Sequence, residues 1–129
     1  MSIELWSIAA IALMLLVLTF VQGATVPIVQ GFKWGLGSRD EPLEQSALQG
    51  RFARTVRNHI EATAIFVPLM ALVVALGKTS DWTAIAAWLV VLGRMLFIPF
   101  YLLGTFGLRS VAYGTAIIGI FMTAWALIA

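Results

Sequence analysis

Four apolar stretches separated by short polar segments make up most of the chain. Residues 5–32 and 62–77 contain no charged residue, and a helix needs about 20 apolar residues to cross the hydrocarbon layer of a membrane. We therefore predict membrane spans over residues 5–29, 51–76, 82–103 and 109–129. Residues 30–50 are predicted to form a cytoplasmic loop that ends in a short helix over 43–48. The expected fold class is an all-α membrane protein, a single four-helix transmembrane bundle.

The composition supports this interpretation. The chain is 61% hydrophobic and only 11% charged, against about 45–50% and about 25% in soluble domains. A soluble enzyme is thereby excluded, and the few basic residues give no footprint for a nucleic-acid partner. With no cysteine and a single histidine, we expect no disulfide, no protein thiol nucleophile and no metal site. No positive charge precedes the first apolar run, which favours a membrane span over a signal peptide.

The distribution of cations predicts the orientation. Most of them fall on the side of the first loop and the last turn, and only Lys78 falls on the other side. The positive-inside rule then places both termini outside the cytoplasm. Four tryptophans lie near predicted span ends, where indole rings favour the interface: Trp6, Trp34, Trp82 and Trp125. Ser80 or Asp81 is predicted to cap the third span.

A polar stripe marks the start of the second span. Arg51, Arg54, Asn58 and Glu61 recur at spacings of three, four and three, with Arg57 one position away. These spacings share one helical face, and Glu61 lies about 15 Å along the helix from Arg51. Charges at such depth rarely face lipid, so we expect the stripe to point into the bundle or a water-filled cleft. A structural ion-pair ladder would explain it. The interpretation we favour is an anionic ligand whose carboxylates meet arginine and whose ammonium meets glutamate.

Three further residues belong to the same argument. Arg94 lies at a depth similar to that of Glu61 on an antiparallel neighbour, and we predict that the two pair; Asn58 or backbone carbonyls are the alternative partners. Tyr101 follows on the face of Arg94, as an interfacial anchor or a ligand contact. His59 points off the stripe and is expected to be structural or helix-capping.

The stripe resembles a known signature. The run RFARTVRNHIE, residues 51–61, resembles the second-helix signature of the MAPEG family, the membrane-associated proteins in eicosanoid and glutathione metabolism. The preceding GSRDEP, residues 37–42, is similar to the loop of bacterial members. Arg94, Tyr101 and the RSVAY run at 109–113 are similar to the second polar block of the family. The number and lengths of the spans also match, so the resemblance covers essentially the whole chain.

The resemblance implies a homotrimer in a bacterial inner membrane. Family enzymes bind glutathione between subunits near the cytoplasmic end, and a lipophilic substrate arrives from the bilayer. The matching positions would be glutathione contacts or their supports: Arg51, Arg54, Arg57, Asn58, Glu61, Arg94, Tyr101 and Tyr113. Arg109 matches the catalytic arginine thought to stabilise the glutathione thiolate, although an arginine at a helix start is also a fair interfacial anchor. Phe97 stands where several family enzymes have histidine.

The implied function is a glutathione-dependent transferase or peroxidase acting on lipophilic electrophiles. The alternative within the family is a non-catalytic protein that binds and presents lipid, or activates a partner. A small channel or transporter would also bury charge in a membrane. It is disfavoured because the sequence has no repeated half and no paired interrupted helices.

Overall fold

The chain folds into five helices. The computed structural model describes residues 1–40 and 46–129, with only the backbone of residues 26–30. The helices are α1 (Ile3–Gln30), α2 (Phe32–Leu36), α3 (Ala47–Ala75), α4 (Asp81–Leu102) and α5 (Leu108–Ile128). All except α2 are long and apolar enough to cross a membrane. The predicted all-α class with four spanning helices is confirmed, and the chain is a multi-pass integral membrane protein.

The first polar connection is more helical than expected. Gly31 has a φ of 104°, a conformation that favours glycine, and the five-residue α2 follows it immediately. We did not predict α2. Helix α3 begins at Ala47, four residues earlier than the predicted span, because Ser46 and Gln49 form a reciprocal capping box. Residues 47–48 of the predicted short helix thus belong to α3, whereas residues 41–45 lie outside the described part of the chain.

The cap of α4 is Ser80 and not Asp81. The Ser80 hydroxyl accepts from the Thr83 amide, and the Thr83 hydroxyl accepts in return from the Ser80 amide. The Thr83 hydroxyl also donates to the buried Glu4 carboxylate at 2.6 Å. This bond ties the start of α1 to the start of α4.

Helices α4 and α5 pack against each other most extensively. Two glycines allow the close approach: a Cβ on Gly93 would lie 2.6 Å from the Ala116 amide nitrogen, and a Cβ on Gly119 would lie 2.7 Å from the Ala86 carbonyl oxygen. At the end away from the arginines, the indole of Trp82 donates to the Met122 carbonyl. The apolar core lies at the middle of the bundle and comprises Ile11, Phe66, Met70, Val73, Ala87, Val90 and Ile120.

Candidate functional site

The most buried charged group is the guanidinium of Arg94, in the middle of the bundle. The side chain is 1% exposed. Its Nε donates to Nδ1 of His59 at 3.1 Å, and its Nη1 donates to Oδ1 of Asn58 at 2.6 Å. The guanidinium carbon lies 4.5 Å from the centre of the Phe97 ring. Its third nitrogen, Nη2, is buried without a hydrogen-bond partner in the described part of the chain.

The predicted ion pair between Glu61 and Arg94 is wrong. Arg94 bonds to Asn58, which was the alternative partner, and also to His59. Glu61 is exposed and makes no hydrogen bond or ion pair within residues 1–40 and 46–129. Similar depth along two helices does not bring side chains together unless both also face each other, and Glu61 lies one turn beyond Asn58 on the outer side of α3.

The polar stripe does not point into the interior of the bundle, which leaves the second alternative, a cleft. Arg54, Arg57 and Glu61 are all exposed. The face of α3 that packs inward instead carries Val56, Phe66, Met70 and Val73, together with His59. Arg51 and Asn58 lie at the border between the two faces and are half-buried. The stripe therefore lies on the outer surface of the four-helix bundle, with only its edge reaching the interior.

A second cluster lies where α3 meets the turn between α4 and α5. Arg51 Nε donates to the Leu102 carbonyl at 3.0 Å, and Arg54 Nε donates to the Tyr101 hydroxyl at 2.9 Å. The guanidinium carbon of Arg109 lies 4.9 Å from the centre of the Tyr101 ring. Tyr101 thus holds one arginine by its hydroxyl and another by its ring face. The structure brings together three of the predicted site arginines here.

Three adjoining clefts connect the two clusters. The outermost, of about 260 Å³, lies among Arg51, Arg54, Tyr101 and Arg109. The next, of about 230 Å³, shares Tyr101 and Arg109 with it and reaches Asn58 and Tyr113. The innermost, of about 80 Å³, is bounded by Asn58, Glu61, Arg94 and Tyr113. Of the predicted site residues, only Arg57 lines none of these clefts.

A cleft away from these arginines is unsuited to an anionic ligand. It has a volume of about 270 Å³, lies between α1 and α4, and is bounded by Trp6 and Trp88. Among the described residues that line it, Ser7 alone has a hydroxyl group, and that hydroxyl already donates to the Glu4 carbonyl. An apolar cleft of this kind suits hydrocarbon.

The family model described as MAPEG family matches residues 5–129, essentially the whole chain. The chain belongs to the MAPEG family. The resemblance inferred from the stripe is confirmed. No curated protein and no solved structure matched the chain. Membership indicates in general terms a membrane protein with a glutathione-related function.

Two residues, His59 and Phe97, contribute more to the site of this MAPEG protein than their sequence context indicates. His59 was expected to be structural or helix-capping, and it bonds Arg94 directly. Phe97 is buried beneath Arg94 and also packs on Tyr101 and Tyr113, with ring centres 5.4 Å and 6.0 Å apart. The sequence signal for an inward-facing His59 is its spacing from Phe66, because residues seven positions apart share a helical face and Phe66 is large and apolar. Within the described residues, no cluster of three or more potential metal ligands occurs.

A double-mutant cycle distinguishes the observed partner of Arg94 from the predicted one. We expect Asn58→Ala and Arg94→Met to be coupled by about 1–3 kcal/mol in the free energy of unfolding, because they remove a partly buried, charge-assisted hydrogen bond. Glu61→Ala and Arg94→Met are expected to be additive within about 0.5 kcal/mol. The measurement is equilibrium unfolding in detergent. A coupling for Glu61 as large as that for Asn58 would contradict this geometry.

Proposed function

We propose that this MAPEG protein is a glutathione-dependent transferase or peroxidase that acts on lipophilic electrophiles. The observation that carries the proposal is the convergence of Arg51, Arg54 and Arg109 on one open cleft around Tyr101. Fixed guanidiniums at a membrane protein's edge favour a ligand with more than one negative charge. Glutathione has two carboxylates, one ammonium group and a thiol, and the family membership makes it the leading candidate.

Each part of the site has a role in this proposal. The arginines of α3, namely Arg51, Arg54 and Arg57, would bind the carboxylates, and Glu61 would bind the ammonium group. Asn58, Arg94, Tyr101 and Tyr113 would support or extend these contacts along the clefts. Arg109 would lie beside the sulfur, where a guanidinium favours the thiolate and lowers a thiol pKa from about 8.5 towards neutrality.

The proposed chemistry needs only the thiolate and an acceptor from the bilayer. In transfer, sulfur forms a bond to an electrophilic carbon, a halide leaves, and the thiol proton passes to water. In the peroxidase reaction, two glutathione molecules are oxidised to the disulfide while a hydroperoxide is reduced to an alcohol and water. Both reactions require a water-borne thiol and a lipid-borne substrate to meet at the membrane edge.

A homotrimer is the proposed assembly. Arg57 and Glu61 are exposed on α3 of the single subunit, and Glu61 lies about 15 Å along the helix from Arg51. Charges exposed to lipid at that depth are costly, and a neighbouring subunit covering the stripe would remove the cost. Taken singly, each of the three clefts is smaller than the roughly 300 Å³ of a typical small-molecule pocket, and a neighbouring subunit would enclose them as one site. A glutathione site between subunits, at the cytoplasmic end of a bacterial inner-membrane protein, would answer both points.

Glutathione binding to the purified, detergent-solubilised protein tests the proposal. We expect a dissociation constant at or below about 1 mM by calorimetry and formation of the thioether when a generic aryl halide is added. The matched control is Lys78→Ala, which removes a cation at the opposite end of the bundle and should leave both results unchanged. An absence of binding at about 10 mM would overturn the proposal.

The second candidate function is the non-catalytic, lipid-presenting one. Phe97 favours it, because this side chain offers no proton-transfer group at a position where several family enzymes have histidine. The same experiment separates the two candidates. Glutathione binding without turnover, unaffected by Arg109→Ala, would favour the non-catalytic function.

A further inference from the structure

One imidazole joins three helices at the centre of the bundle. His59, the single histidine of the chain, is fully buried on α3. Its Nε2 lies 3.0 Å from the carbonyl oxygen of Ile11 in α1, and its Nδ1 lies 3.1 Å from Nε of Arg94 in α4. Both ring nitrogens are therefore used, each towards a different neighbouring helix.

These two partners determine the tautomer of the ring. A carbonyl oxygen can only accept, so Nε2 must bear the hydrogen and donate it to Ile11. The guanidinium Nε–H can only donate, so Nδ1 must present its lone pair to Arg94. A neutral ring with its hydrogen on Nε2 satisfies both contacts. An imidazolium would place one donor against another at Nδ1.

The same contact determines how Arg94 presents its remaining donors. A guanidinium is rigid and planar, so bonds from Nε to His59 and from Nη1 to Asn58 fix the direction of Nη2 as well. Nη2 is buried and has no partner in the described part of the chain. Arg94 lines the innermost cleft, where Glu61 and Tyr113 complete the wall. An unpaired buried donor is costly, and a ligand oxygen is one group that would satisfy it.

We propose that His59 is a positioning residue: it holds the Arg94 guanidinium so that Nη2 is free to donate to a carboxylate oxygen of bound glutathione. This inference rests on the proposed glutathione site and adds to it the residue that orients Arg94. Nη2 is unpaired before the ligand arrives, so its bond to the ligand replaces no hydrogen bond that Nη2 makes within the described residues. Preorganisation of this kind raises affinity by removing the ordering cost from the binding step.

Two substitutions separate the two contacts of the ring. In His59→Gln the amide nitrogen reaches about as far as Nε2, which preserves the bond to Ile11 and loses the one to Arg94. In His59→Asn the amide oxygen takes the place of Nδ1, which preserves the bond to Arg94 and loses the one to Ile11. We expect His59→Gln to weaken glutathione binding about tenfold, which corresponds to about 1.4 kcal/mol. His59→Asn should stay within about threefold of the wild type, although its melting temperature falls.

Thr55→Val is the matched control, because Thr55 is also fully buried on α3 and, among the described residues, its hydroxyl bonds only to the Arg51 carbonyl. We expect unchanged affinity. Equal losses of affinity in His59→Gln and His59→Asn, or wild-type affinity in His59→Gln, would overturn the proposal.

A measurement without ligand keeps this inference separate from the proposed function. Because the chain has one histidine, nitrogen-15 histidine labelling of protein freed from any histidine tag gives a single imidazole spectrum. We expect a protonated Nε2 and an unprotonated Nδ1, and a shift of the Nδ1 resonance in Arg94→Lys. A wild type with this spectrum that binds no glutathione would overturn the proposed function and leave the orientation of Arg94 intact. A protonated Nδ1 would overturn the orientation itself.

Discussion

Replacing Arg109 with alanine is expected to lower aryl halide conjugation at pH 7 about a hundredfold. The Arg109 guanidinium lies over the ring of Tyr101 and lines both of the outer clefts. In the proposed site it stabilises the thiolate, and removing one preorganised electrostatic contact of this kind costs about 10²–10³ in turnover. A thiol with a pKa near 8.5 is only about 3% ionised at pH 7. Glutathione affinity should change much less than turnover.

The pH profile distinguishes this role from a structural one. Without Arg109 the thiol ionises at its ordinary pKa of about 8.5. The rate of Arg109→Ala should therefore rise with pH from pH 7 and level off only above that pKa. The wild type, with its lowered thiol pKa, should already be near its plateau. Arg109→Lys should recover part of the rate, and Lys78→Ala should behave as the wild type. A uniform loss at every pH, or a loss that follows the melting temperature, would contradict a role for Arg109 at the sulfur.

The second large effect is expected at the contact between α4 and α5. In Gly93→Ala the new Cβ would lie 2.6 Å from the Ala116 amide nitrogen, and in Gly119→Ala it would lie 2.7 Å from the Ala86 carbonyl oxygen. Backbone atoms can only yield if the helices separate. We therefore expect each substitution to lower the free energy of unfolding by about 1–3 kcal/mol, and the pair to prevent correct packing.

Gly114→Ala is the matched control for these substitutions. Gly114 lies on the same helix as Gly119, and a Cβ there meets nothing within 4 Å. Alanine favours a helix over glycine by about 1 kcal/mol, so this variant should be as stable as the wild type or slightly more stable. The measurement is thermal and denaturant unfolding in detergent. Equal stability of all three single variants would contradict the close approach of the two helices.

The sequence identified the spanning helices because lipid demands long apolar runs, and Ser80 was recognisable as one of two possible caps. The rotation of each helix about its own axis, which determines the side that faces the core, was harder to predict. Both sides of a membrane helix are apolar, so hydrophobicity alone does not tell the core side from the lipid side. The spacing of Arg54 and Glu61 placed them on one face of α3, but it could not show that this face lies on the outside of the bundle. Depth along the helix likewise failed to distinguish Asn58 from Glu61 as the partner of Arg94.

Helices α4 and α5 are joined along their whole length, and this limits how the protein can move. Their backbones touch at Gly93 and Gly119, and at the far end the indole of Trp82 bonds to the last turns of α5. The two helices are thus expected to move as one rigid unit. Helix α3, by contrast, holds this unit at its basic end through single side-chain bonds such as that from Arg54 to Tyr101. Any relative motion within the bundle is therefore expected between α3 and this pair, and not between α4 and α5.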